Sequence, residues 1–233
     1  MTADPSIDRL EADACVMSTS QFGEDIILRS VLTLHNRLEA GGFYVDIGAH
    51  HPIRHSNTHV LNKYHGFKGV NVDADQDLIQ EFFRLRPDDV NIHAAVCSDE
   101  IDSVEFHVLA TRGMSTCDPE TLSTRKNFKT LEVRHVQAMT LTKILEQANA
   151  PSVFDVLSID IEGNDLAALQ TLDFDRFQPF CICIEELGFD MHRPDQSEIY
   201  RLLISKGYKL FSRAWVTSFY FSPKLTNRPK PKA

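Results

Sequence analysis

Several acids stand where an apolar run gives way to a turn. Asp46 sits near the end of Phe43-Tyr44-Val45-Asp46-Ile47-Gly48-Ala49, and Asp73 closes Val70-Asn71-Val72. Asp160 follows Val153 to Ile159, and Glu185-Glu186 follow Phe180 to Ile184. A lone carboxylate at a strand end can accept hydrogen bonds from the hydroxyls of a bound ligand, which suits Asp73. Several carboxylates in one place repel, and their pKa values rise unless a cation sits between them. Mg²⁺ fits such a cluster, because it takes carboxylate oxygens and keeps waters that a ligand oxygen can replace. Asp160, Glu185 and Glu186 are therefore the candidate metal ligands, if the strands that end in them are neighbours. The competing reading is that these acids hold helix termini as a structural network. Gly48 lets the backbone approach a ligand closely, but the turn lacks the three spaced glycines that seat a pyrophosphate. His50, His51, His55 and His59 follow it. Histidine titrates near neutrality, so His51 is a candidate base for a hydroxyl proton, in competition with Asp160. No histidine or cysteine spacing matches a zinc site.

Such residues work together only if strands and helices alternate, so that the strand ends share one edge. The patterning gives that rhythm. Ser18 and Gln21 have capping-box spacing ahead of a helix running to Leu34, which Gly41-Gly42 stops. Buried strands are expected over 43–49, 69–73, 90–96, 153–159 and 180–184. Asp75 can cap a helix over 78–85, and further helices are expected over 141–147, 165–172 and 198–206. Residues 104–109 and 131–139 read as extended, and 110–130 as a polar loop. The last two strands, 208–212 and 216–221, are too close for a parallel crossover and must pair antiparallel. Their aromatics, Trp215, Phe219, Tyr220 and Phe221, are explained by core packing. The expected class is α/β, a mostly parallel seven-stranded sheet with an antiparallel C-terminal hairpin and helices on both faces. Residues 1–17 read as a loose arm, 18–222 as one domain, and 223–233 as a Pro/Lys-rich disordered tail.

In this order the segments resemble the FkbM family of methyltransferases. The matching pieces are Ser20-Gln21-Phe22-Gly23-Glu24-Asp25, the run from Phe43 to Ala49, Val72-Asp73-Ala74 and Ala94-Ala95-Val96. The block Ser158-Ile159-Asp160-Ile161-Glu162-Gly163-Asn164-Asp165 and Ile184-Glu185 complete the set. The resemblance implies a Rossmann-like domain that uses S-adenosylmethionine (SAM) to methylate a hydroxyl on a sugar or other natural product. It also implies that Asp46, Gly48, Ala49, Asp73 and Ala95 line the cofactor site, with Gln21 near it. After Ala49 the chain departs from the common Asn-Xaa-Gly of the family and has His50-His51-Pro52.

Composition narrows the partners. A net charge of −9 opposes nucleic-acid binding, which needs a basic footprint. No run approaches the roughly 20 apolar residues of a membrane span. The acidic N-terminus resembles no signal or transit peptide, and five scattered cysteines form no disulfide framework, so a cytoplasmic setting is expected. The expected partner is a small-molecule or saccharide acceptor, which nothing in the sequence identifies. An NAD(P)-dependent oxidoreductase and a non-catalytic SAM-binding protein are the alternative readings.

Overall fold

A computed structural model describes residues 17–39, 41–98 and 103–226. Its frame is a seven-stranded sheet, ordered β10-β11-β9-β8-β1-β2-β3. Here β1 is Phe43–Ile47, β2 Lys68–Asp73, β3 Val90–His93, β8 Val153–Ile159, β9 Gln178–Glu185, β10 Lys209–Ala214 and β11 Thr217–Phe221. Pairings among β3, β2, β1, β8 and β9 are parallel, whereas β9–β11 and β11–β10 are antiparallel. The central strands β1, β8 and β9 are buried on both faces, which is why they read as continuous apolar runs.

Helices cover each face. Leu28, Val31 and Leu32 of α1 (Glu24–Leu34) and Leu61 of α2 (His59–His65) pack with Tyr44, Val156, Cys181, Cys183 and Phe219. Cys181 and Cys183 thus share one face, as their alternation requires. Opposite them, α5 (Leu141–Gln147), α6 (Asp165–Gln170) and α7 (Glu198–Ser205) pack on Val45, Val72, Leu157, Ile182 and Tyr220. Helix α3 (Gln76–Leu85) sets Ile79 and Phe82 against Ala49, and Asp75 caps it by accepting from the backbone N–H of Asp77 at 3.0 Å.

Five details differ from the sequence reading. The expected strand over 90–96 breaks after His93. Ala95–Val96 (β4) instead pairs with Ala138–Met139 (β7), while Val104–Leu109 (β5) pairs with Thr130–Val136 (β6). The expected loop over 110–130 holds a 3₁₀ turn, Arg112–Met114, and a short helix, α4 (Pro119–Thr124), capped by Asp118. No capping box forms at α1: Gly23 is the cap residue, and Ser18 Oγ donates to Asp25 instead at 2.6 Å. Trp215 is 77% exposed at the turn of the last hairpin, because its backbone takes the left-handed conformation (φ 49°) rather than continuing a strand. Finally, Pro223–Leu225 form a 3₁₀ turn at the start of the expected tail, and Leu225 O accepts from buried Arg37. Residues 227–233 of the expected tail and 1–16 of the arm expected over 1–17 lie outside the described residues. Among the described residues no helix is long and apolar enough to cross a membrane.

Candidate functional site

The crossovers reverse direction between β1 and β8, and an open α/β sheet binds ligands at the carboxyl ends of strands beside such a point. A cavity of about 590 Å³ opens there. Gln21, Asp46, Gly48, Ala49, Asp73 and Ala95, the residues expected to line a cofactor site, all stand on its wall, and Asp160 stands with them.

Gly48 turns the chain at the end of β1. Its φ is +76°, a conformation that a side chain resists, and a Cβ there would lie 1.8 Å from the carbonyl oxygen of Asp160. The backbone N–H groups of Gly48 and Ala49 both donate to Val72 O, at 2.9 and 3.0 Å, which ties the turn to β2. Asp46 is buried and accepts from Thr58 Oγ1 at 2.7 Å; burial raises its pKa, while Thr58 and Arg86 oppose the rise. Asp73 accepts from the N–H groups of His50 and Asp75, both at 2.7 Å. Burial still pushes it up to about 7, because two backbone donors offset only part of the lost hydration.

The ends of β8 and β9 bring acids together, in a set different from the expected one. Asp160, Asp165 and Glu185 place a carboxylate oxygen each within 4.8 Å of one another. Glu186 is absent from that cluster. It accepts from Ser197 Oγ, Ser218 Oγ and, at 3.1 Å, Tyr220 OH, with Arg213 3.5 Å away. Successive strand residues point to opposite faces, so Glu185 and Glu186 could not both reach Asp160. Asp165 replaces it. This residue starts α6 and accepts from the N–H groups of Ile161 and Gly163, both at 3.1 Å, which folds the 160–165 turn around it. Burial raises all three carboxyls: Asp165 to about 6, Glu185 to about 8, and Asp160 well above its ordinary value. For Asp160 the repulsion of Glu185 and other acids adds to the burial effect, and for Glu185 that of Glu162 and Asp165 does. Glu185 Oε2 is buried and has no hydrogen-bond partner.

His51 is not on the cavity wall. Its Nδ1 accepts from the N–H groups of Ile53 and Arg54, at 3.0 and 3.1 Å, and so closes the turn after β1. His50 and His55 line the cavity instead, their rings stacked with centroids 6.1 Å apart. Both take the left-handed conformation, with φ of 56° and 55°.

Sequence reasoning missed three supporting features. Arg86, just after α3, is buried under the 50–58 loop and donates to Ser56 Oγ and Thr58 Oγ1, both at 2.9 Å, and to Pro52 O. The stretch from Thr111 to Cys117 forms part of the cavity wall. It is fastened to the acid turn by Thr116 Oγ1, which donates to Glu162 O at 2.9 Å, and by an ion pair of Arg125 with Glu162. Only the cap signal of Asp118-Pro119 marked structure in that stretch; nothing local announced Arg86 or Arg125.

The methyltransferase FkbM domain family matches residues 46–210, which includes β2, β3, β8 and β9 whole, the last two residues of β1 and the first two of β10. No curated protein matches the chain.

Proposed function

The chain belongs to the FkbM methyltransferase family, and on that premise we propose that it is a SAM-dependent O-methyltransferase with a Rossmann-like catalytic domain, acting on a hydroxyl of a saccharide or other small molecule. The observation that carries this reading is the convergence of the ends of β1, β2 and β8 on one cavity, with Asp46, Asp73 and Asp160 on its wall. SAM carries an ammonium, a sulfonium and a ribose diol, for which Asp46 and Asp73 are natural partners. Asp73 has a second lone pair on each oxygen with which to accept from the ribose hydroxyls. A nicotinamide dinucleotide is the poorer fit, because its pyrophosphate needs a glycine-rich seat, and Gly48 alone turns the chain here.

In the transfer, the acceptor oxygen attacks the methyl carbon in line with the carbon–sulfur bond. That bond breaks with its electron pair going to sulfur, S-adenosylhomocysteine leaves, and the hydroxyl proton must go to a base. Asp160 is the base best placed for this, because it stands on the cavity wall with a raised pKa. His51 has its Nδ1 engaged by the turn. Asp160, Asp165 and Glu185 are also a donor set that suits Mg²⁺: three carboxylate oxygens in reach of one another, with Glu185 Oε2 otherwise orphaned. When bound, Mg²⁺ would supply charge that lowers the pKa of the acceptor hydroxyl.

The test is calorimetry with S-adenosylhomocysteine, alongside transfer of a labelled methyl group from SAM. Asp73→Ala is expected to weaken binding by roughly 1.5–3 kcal/mol, the scale for hydrogen bonds to a charged group. Asp160→Asn is expected to bind normally and lose turnover. A wild-type protein that does not bind S-adenosylhomocysteine would overturn the reading, and full activity in EDTA would remove Mg²⁺ from it.

A further inference from the structure

The ribbon of β5 and β6 stands outside the main sheet, and its outer strand leaves one edge open. Among the described residues β6 pairs with β5 and with no other strand. His107 of β5 exchanges both main-chain hydrogen bonds with Thr116, at 3.0 and 3.3 Å, on the side away from β6. It stands opposite Val133. Opposed residues of an antiparallel pair either bond to each other or both turn away. The N–H and C=O of Val133 therefore point out along the free edge of β6, and those of His135, two residues on, do the same. Leu131 and Val133 beside them are 54% and 45% exposed.

We propose that this edge pairs with the same edge of a second copy of the chain, antiparallel and centred on Val133, so that two ribbons form one four-stranded sheet. A two-fold axis at Val133 lets the two copies of that residue exchange both of their outward main-chain bonds. Charge selects this register. Glu132 of one copy then lies opposite Arg134 of the other, twice over, on the face that Arg134 turns to Asp75 and Asp77. Within one strand Glu132 and Arg134 already pair at 2.8 Å, so the second copy completes an alternating group of four charges. On the other face Val133 meets Val133 and Leu131 lies beside His135, which covers the exposed apolar side chains. An axis at Glu132 or at Arg134 would oppose like charges and turn the free main-chain groups of Val133 away from the partner. An axis at His135 would set Arg134 against Val136.

The two edges of the main sheet offer no such match. Strand β10 carries Lys209 and Arg213 and no acid, and its register against β11 shifts between Leu210 and Ser212. Strand β3 is four residues long. Cations, irregular register and short length are the means by which sheets keep their edges unpaired. Strand β6 has none of these protections at its centre. It is seven residues long, contains neither Pro nor Lys, and sets one acid and one cation symmetrically about Val133. The irregularity in its pairing with β5, between Val108 and Leu109, falls beyond Glu132 and leaves 132–134 regular.

Sedimentation velocity of the full chain tests this between about 1 and about 100 μM, a range that separates tight from weak self-association. The wild type should sediment as a dimer at the upper end. Val133→Pro removes the N–H at the centre of the edge and leaves the bonds to β5 in place, because that N–H does not face β5. If this variant folds poorly, Val133→Lys keeps the main chain and sets two ammonium groups side by side. Either should raise the dimer Kd by at least about tenfold. Hydrogen exchange gives the readout that a dimer formed elsewhere would not move: protection of the Val133 and His135 amides should rise with protein concentration. A wild type that stays monomeric at about 100 μM overturns the proposal. So does a dimer that survives both substitutions, or one in which the Val133 amide exchanges at the same rate at every concentration.

Discussion

Glu185 and Glu186 are chain neighbours with different tasks. Glu186 is saturated by hydroxyl donors, while Glu185 is raised to about 8 by burial and by other acids. The raised value has a consequence for stability. Between its ordinary value of 4.5 and about 8, the folded state binds more protons at Glu185 than the unfolded state does, so the apo-protein loses stability as pH rises through that window. In EDTA, the melting temperature of Glu185→Gln should gain on the wild type between about pH 5 and about pH 8. A gap that stays constant would mean that Glu185 is not held protonated. Gly48→Ala should be severe, since a Cβ 1.8 Å from a backbone oxygen forces one of two turns to move. We expect a loss of at least about 2 kcal/mol, the scale of backbone strain, in urea unfolding, together with loss of S-adenosylhomocysteine binding. The placement of Asp46, Gly48 and Asp73 on one cavity was legible because strand ends mark themselves by composition. Glu186 was read as a ligand beside Glu185, although strand parity sets the two on opposite faces. Asp165 was not legible, because a first-turn acid reads as an ordinary helix cap until the adjoining strand is in place.

At the level of elements, the parallel strands and the hairpin were readable because buried strands are continuous apolar runs with turn residues at their ends. The strand over 90–96 was read too long. Its apolar run continues through Ala94-Ala95-Val96, but while Ala94 still donates to Asp73 O of β2, Ala95 donates to Gln137 O, so the chain changes partner between them. Pairing partners distant in sequence leave no local mark. The 110–130 stretch hid its role for the same reason. Its hold on the 160–165 turn is the Arg125–Glu162 pair, in which Arg125 is 9% and Glu162 20% exposed, and Glu162 itself takes a positive φ of 58°. Arg125→Met should remove that fastening while keeping the apolar stem. Hydrogen exchange over 111–124 should speed up by an amount equal to roughly 1.5–3 kcal/mol, and S-adenosylhomocysteine should dissociate faster. Unaltered exchange there would show that Thr116 and the helix cap suffice to hold the segment.

Across the whole molecule, the chain closes on itself near its described end. Arg37 pairs with Asp155 at 2.7 Å, stacks over Phe180, and donates to Leu225 O, so the turn at 223–225 belongs to the folded domain. Ending the chain after Thr226 should leave the melting temperature near that of the full chain. Ending it after Ser222 should lower it by several degrees, since about 1–3 kcal/mol follows from leaving a buried donor unanswered. Equal melting temperatures would show that water replaces Leu225 O without loss. The close packing of the Gly48 turn against the carbonyl of Asp160 carries one more implication, for how such a protein can diversify. The turn that cradles the cavity and the turn that begins the acid cluster share one backbone contact, so neither can drift without the other. The 187–199 segment is under no such constraint, since a Cβ at Gly188 meets nothing within 4 Å and Leu187 and Met191 stand 59% and 74% exposed. Descendants of this chain should carry more of their inherited changes there, and a laboratory library that must keep the fold would best be randomised there, with the two turns left untouched.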